Sequence, residues 1–176
     1  MSTDRTSRRD PEDAGVGLEL LGSSPSSTKK PHAVLFACGL NAVRSPMAAA
    51  LLKQMLKGAL YVGSAGVRKG EVDPFAVAVM EEIGIDIESH DPITFEELED
   101  LEGLNFDLIV TLSPEAHHKA IELTRVLAVD VEYWPTADPT AVEGSREQRL
   151  DAYRAVRDQL MEKIRQRFVT RAAGNE

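Results

Sequence analysis

The chain has 176 residues and carries 20 Lys and Arg against 29 Asp and Glu, a formal net charge of −9; it is long enough for one domain with its own core and too acidic for sequence-independent nucleic-acid binding. Its one cysteine excludes an internal disulfide framework and any cysteine-cluster metal site, and its four histidines are too scattered for a metal-ligand pattern. No apolar run approaches the roughly 18 residues of a membrane span, and Met1 to Asp10 is polar rather than signal-like, so a cytoplasmic protein without membrane contact is expected.

Residues 1–31 read as a disordered tail. Five bases (Arg5, Arg8, Arg9, Lys29, Lys30) balance five acids (Asp4, Asp10, Glu12, Asp13, Glu19), and Leu18 to Leu21 is too short to build a core. A domain is expected over 32–170. Ala33-Val34-Leu35-Phe36-Ala37 is a continuous apolar run, as in a strand buried on both faces. Leu60 to Val62, Asp107 to Leu112 and Val129 to Trp134 are further strand candidates. Helices are expected to open at Ser45-Pro46, Asp73-Pro74 and Ser113-Pro114, where a capping oxygen precedes a proline that lacks the unpaired N–H. A last helix runs from Arg146 to Arg167, with Leu150, Tyr153, Leu160, Met161, Ile164 and Phe168 as its apolar stripe. Alternating elements of these lengths predict a three-layer α/β fold: a four-stranded parallel sheet flanked by helices on both faces. Ligands in such folds bind beyond the carboxyl ends of the strands.

The first strand ends in Cys38-Gly39-Leu40-Asn41-Ala42-Val43-Arg44-Ser45-Pro46. A lone cysteine is more often a small buried hydrophobe than a nucleophile. This one faces a helix N-terminus across a tight loop, and each neighbour has a use. Backbone N–H groups of Gly39, Leu40, Asn41, Ala42 and Val43 can cradle an anion. Arg44 adds a planar fork for two phosphate oxygens. The same positive field favours a thiolate, placed for attack on phosphorus. Ser45 can cap the helix and donate a hydrogen bond to the sulfur.

These residues resemble the low-molecular-weight protein tyrosine phosphatases and the arsenate reductases that share their fold, over about Ala33 to Phe168. The resemblance implies Cys38 as nucleophile and Arg44 as oxyanion clamp. It implies Asn41 as the residue that holds the loop's shape, Ser64 as its support, and His90 in the same network. Asp138-Pro139 reads from the residues alone as a turn; the resemblance makes Asp138 the general acid, and then the base for the attacking water. No metal and no cofactor is implied.

The chain departs from the family pattern at several places. Leu40 stands where Gly is usual, which predicts a reshaped cradle. Val43 replaces a second cysteine. Thr140 and Ala141 follow the Asp-Pro where aromatics are common, and 67–72 carries no aromatic, which leaves a phenyl ring little to stack on. The segment after Asp138 looks more like the arsenate reductases. The thioredoxin-coupled ones have a cysteine where Ser113 stands, so internal passage of a disulfide is impossible here.

Three readings follow. The first is a phosphomonoesterase acting on a phosphate ester through a phosphocysteine. The second is a single-cysteine arsenate reductase that draws on an external thiol, with glutaredoxin or mycothiol as partner. The third is a non-catalytic phosphate-sensing module. From Gly70 to His118 there are 14 Asp and Glu and no Lys or Arg; this reads as a solvated acidic face or a docking surface for a basic partner.

Overall fold

The computed structural model describes residues 30–170. Most of the tail expected over 1–31 lies outside the described residues. Four parallel strands form one sheet in the order β2-β1-β3-β4: β1 is Ala33–Cys38, β2 Tyr61–Gly66, β3 Leu108–Thr111 and β4 Asp130–Tyr133. The central position of β1 explains its unbroken apolar run, since neither of its faces meets water.

The helices split between the two faces. Val34, Phe36 and Cys38 of β1 point towards α1 (Arg44–Leu56), α2 (Pro74–Glu81) and α5 (Arg146–Ile164). Leu35 and Ala37 alternate towards α3 (Phe95–Glu102) and α4 (Pro114–Leu123). The predicted three-layer α/β architecture is therefore present. No helix among the described residues is long and apolar enough to cross a membrane.

Local chemistry sets most of the helix boundaries. Asp73 caps α2 by accepting from Phe75 N–H, and Ser113 caps α4 by accepting from Ala116 N–H, each followed by proline. Ser145 and Gln148 form a reciprocal capping box on α5. The apolar stripe of α5 is buried as expected, with Met161 at its edge, and a π-helical turn, Arg165–Val169, carries Phe168 onto Trp134. Trp134 also meets Phe36 edge-on with ring centroids 6.1 Å apart, so it belongs to the core. Arg157 is buried on α5 and donates to Val79 O at 2.7 Å and to Glu82 at 2.8 Å. Arg154 and then Arg157 hold the Glu82 carboxyl down at about 2, which joins α5 to the end of α2 by charge as well as by apolar contact.

One predicted cap is corrected. The structure starts α1 at Arg44, after Val43, with no side-chain cap. Ser45 lies inside the first turn, and its hydroxyl turns to the loop, as described below. The Ser-Pro signature sits two residues downstream of the boundary it was expected to mark.

Candidate active site

The chain reverses its direction of winding between β1 and β3, because β2 lies on one side of β1 and β3 and β4 on the other. Beyond the carboxyl ends of these two strands lies a cleft of about 520 Å³. Its floor is the loop from Cys38 to Arg44.

Backbone bonds fix the shape of that loop. Its carbonyls are held from behind by the segment that follows β2. Val67 N–H donates to Cys38 O at 3.2 Å, Arg68 N–H to Gly39 O at 2.8 Å, Gly70 N–H to Leu40 O at 3.0 Å and Asp73 N–H to Ala42 O at 3.1 Å. A trans peptide sets its N–H opposite its C=O, so outward carbonyls leave N–H groups for the concave side. The uncapped first turn of α1 adds more such donors at the same place, where Val43 and Arg44 line the cleft.

Asn41 is the keystone of the loop. It is fully buried, and its φ of 55° is the left-handed conformation that asparagine tolerates better than most residues. Its Oδ1 accepts from Ile93 N–H at 3.0 Å and from His90 Nε2 at 3.0 Å. His90 Nε2 also meets Asn41 O at 3.1 Å. Both partners only accept, so Nε2 carries the proton. Burial holds His90 below the usual imidazole range, which favours this neutral form. Asn41 Nδ2 in turn donates to Ser45 Oγ at 2.8 Å, and Ser45 Oγ lies 2.9 Å from Cys38 Sγ. Asn41 takes one lone pair of the hydroxyl, which leaves its proton free to be given to a sulfur anion. The chain His90–Asn41–Ser45–Cys38 is a continuous polar relay beneath the floor.

Ser64 is outside this relay. It pairs with Phe36 in the middle of β2, two residues short of the register Cys38–Gly66 at the strand ends. It makes no hydrogen bond to Asn41; Ile93 N–H, His90 and Ser45 hold that side chain instead. Leu40 does not take the left-handed conformation, which falls on Asn41. The residue is 43% exposed and its side chain lies near Gly70, so it forms part of the cleft wall rather than a plug in the cradle.

Arg44 and Asp138 complete the cleft lining. Arg44 Nη1 donates to Thr136 O at 3.0 Å, which anchors one edge of the guanidinium and leaves its other N–H groups for a ligand. Thr136 is itself tied to the end of β3 through Leu112 O. Asp138 follows two residues later and caps a single 3₁₀ turn, Pro139–Ala141. Its Oδ1 takes both bonds from Thr140, at 3.0 Å from N–H and 2.6 Å from the hydroxyl. Oδ2 has no such partner among the described residues. The turn reading and the cleft position of Asp138 thus coexist.

The profile of the low molecular weight phosphotyrosine protein phosphatases matches residues 33–173. The chain belongs to that family. The family members it resembles bear two kinds of name. An arsenate reductase of Shouchella clausii is 35% identical over 75% of this chain and 91% of its own. A glutaredoxin arsenate reductase of Synechocystis sp. is 31% identical over 74% of this chain and 92% of its own. The crystal structure of the tyrosine phosphatase amsI of Erwinia amylovora superposes with a TM-score of 0.64, covering 82% of this chain and 95% of that one at 22% identity, a likeness of fold.

Three cleft residues were not singled out from the sequence as site residues. Arg68 and Glu115 pair with one another at the mouth, and Glu71 also lines the cleft. Arg68 comes two residues after the end of β2, and Glu115 lies in the first turn of α4. Both positions are at strand carboxyl ends, which is the signal that could have found them.

His117 and His118 point apart, as adjacent helical residues must. His117 bonds Thr111 at 3.0 Å and stacks on Tyr133, while His118 is exposed beside Glu122.

Proposed function

We propose that the protein is a cysteine-dependent phosphomonoesterase that forms a phosphocysteine at Cys38. The observation that carries this reading is the convergence of Cys38, Arg44 and Asp138 on one cleft whose floor is a loop with its carbonyls bonded from behind. In the first step the Cys38 thiolate attacks phosphorus, and the bond from phosphorus to the ester oxygen breaks. Asp138 gives its proton to that oxygen as it leaves. Arg44 and the loop N–H groups hold the three equatorial oxygens as charge builds on them. In the second step Asp138 takes a proton from water, water oxygen bonds to phosphorus, and the sulfur–phosphorus bond breaks. The sulfur departs as a thiolate, met by the Ser45 hydroxyl, and inorganic phosphate is released.

The arsenate reductase names of the two sequence relatives favour a second reading. Here Cys38 attacks arsenic and water leaves. An external thiol then attacks the Cys38 sulfur, and the electron pair of the sulfur–arsenic bond stays on arsenic as arsenite. A second thiol frees Cys38 from the resulting mixed disulfide. Cys38 is the single cysteine of the chain, so both electrons must come from outside it. The presence of both a nucleophile and an acid on the cleft weighs against a phosphate sensor, which has no use for the pair.

One assay separates these readings. The full chain and its Cys38→Ser variant are given p-nitrophenyl phosphate or arsenate, each with and without thiol and glutaredoxin. The expected result is nitrophenol release that needs Cys38 and no added thiol. Arsenite formation that needs thiol, with no nitrophenol released, overturns the phosphatase reading.

A further inference from the structure

The mouth of the cleft carries more negative charge than a site for phosphate requires. Four carboxylates line it, from Glu71, Asp73, Glu115 and Asp138, against the guanidiniums of Arg44 and Arg68. Arg44 belongs to the oxyanion floor. Asp73 is engaged inside the fold, where its oxygens accept from Phe75 N–H and from the Tyr153 hydroxyl at 2.7 Å. Lys69 is turned away towards Glu97, 2.8 Å distant.

Glu115 stands directly over the loop. A Cβ placed on Gly39, next to the nucleophile, would lie 3.2 Å from Glu115 Oε2. The structure also shows what this carboxylate binds. Arg68 presents its guanidinium edge-on, Nε to Oε1 at 3.1 Å and Nη2 to Oε2 at 3.0 Å. The two side chains are 64% and 44% exposed, and an ion pair so exposed contributes little and exchanges easily. A second guanidinium arriving with a substrate can therefore replace Arg68 on Glu115 in the same forked geometry. Among the described residues no aromatic side chain lines the cleft, so affinity for the flanks of a substrate has to come from charge and backbone contacts.

We propose that this rim selects phosphorylated protein segments in which Lys or Arg flanks the phosphorylated residue, Glu115 and Glu71 receiving the cations. The proposal rests on the phosphatase reading for its substrate, but its selectivity is a property of binding and is tested as such. Two phosphotyrosine peptides of equal length, one with arginine and one with glutamate on both sides, are titrated calorimetrically into the full-length Cys38→Ser chain. At about 50 mM salt the arginine peptide is expected to bind about tenfold more tightly or better, and at about 0.5 M salt the ratio is expected to fall towards one. The Glu71→Gln/Glu115→Gln pair, added to Cys38→Ser, is expected to remove most of the preference at low salt, with circular dichroism confirming the fold. Equal binding of the two peptides overturns the proposal, as does a preference that the double substitution leaves intact. Hydrolysis of p-nitrophenyl phosphate by the unsubstituted chain is measured alongside. A charge preference without hydrolysis supports the rim and overturns the phosphatase reading alone.

Discussion

Asp138→Asn is expected to lower kcat by about 10²–10⁴-fold for an ester with a poor leaving group such as phenyl phosphate. The loss for p-nitrophenyl phosphate is expected to be much smaller in the first step, because nitrophenolate departs without a proton. Asparagine keeps an oxygen in place of Oδ1 for the two Thr140 bonds, so the 3₁₀ turn survives. What it lacks is the transferable proton on the free oxygen. Single-turnover rates on both esters, with inorganic phosphate binding measured alongside, make the check. Equal losses on the two esters in that step, or none on either, would show that the acid lies elsewhere.

The second large effect is expected at a residue with no chemistry of its own. Gly66 ends β2 beside the back of the phosphate loop. A Cβ there would fall 2.3 Å from Arg68 O, 2.8 Å from Asn41 N and 2.9 Å from Leu40 C, all of them backbone atoms. None can move without disturbing the carbonyl-to-N–H zipper that turns the loop's donors inward. Gly66→Ala is expected to cost about 1–3 kcal/mol of stability, the usual range for overpacking. It is also expected to weaken phosphate binding by about tenfold or more, since each donor lost from the cradle is worth about 1.4 kcal/mol or above. Thermal unfolding and phosphate titration test the two parts separately. An alanine variant that binds phosphate like the parent would mean that the zipper does not set the cradle's shape.

The sequence exposes some of this architecture directly and hides the rest for physical reasons. β1 is legible because a strand buried on both faces needs every residue apolar. The loop after β1 is legible because Cys38, Asn41, Arg44 and Ser45 lie within eight residues of chain, so spacing alone brings them together. The second half of β2, Gly63-Ser64-Ala65-Gly66, carries little strand propensity. Its small residues are there for packing, Gly63 against Phe106 and Gly66 against the loop. The helix α3 opens at Thr94 without a following proline; the Thr94 hydroxyl accepting from Glu97 N–H, with acids in the first turn, marks it instead. Ser45 is misread as a cap because the same hydroxyl that suits a helix start is needed at the sulfur. Ser64 is misplaced because register, which residue identity does not reveal, sets it two positions short of the loop. The rim of Arg68, Glu71 and Glu115 comes from the loop after β2 and the first turn of α4, which meet only once β2, β1 and β3 are in order.

The proposed roles of these residues all depend on a covalent bond between Cys38 sulfur and phosphorus. The most direct test quenches the full chain in acid during turnover of a phosphate ester and digests it for mass spectrometry. The expected result is one phosphoryl group on the peptide that holds Cys38, increased in amount by Asp138→Asn if the second step is slowed more than the first. Steady turnover with no phosphoryl group on that peptide, or turnover that persists in Cys38→Ser, would contradict nucleophilic attack by this sulfur.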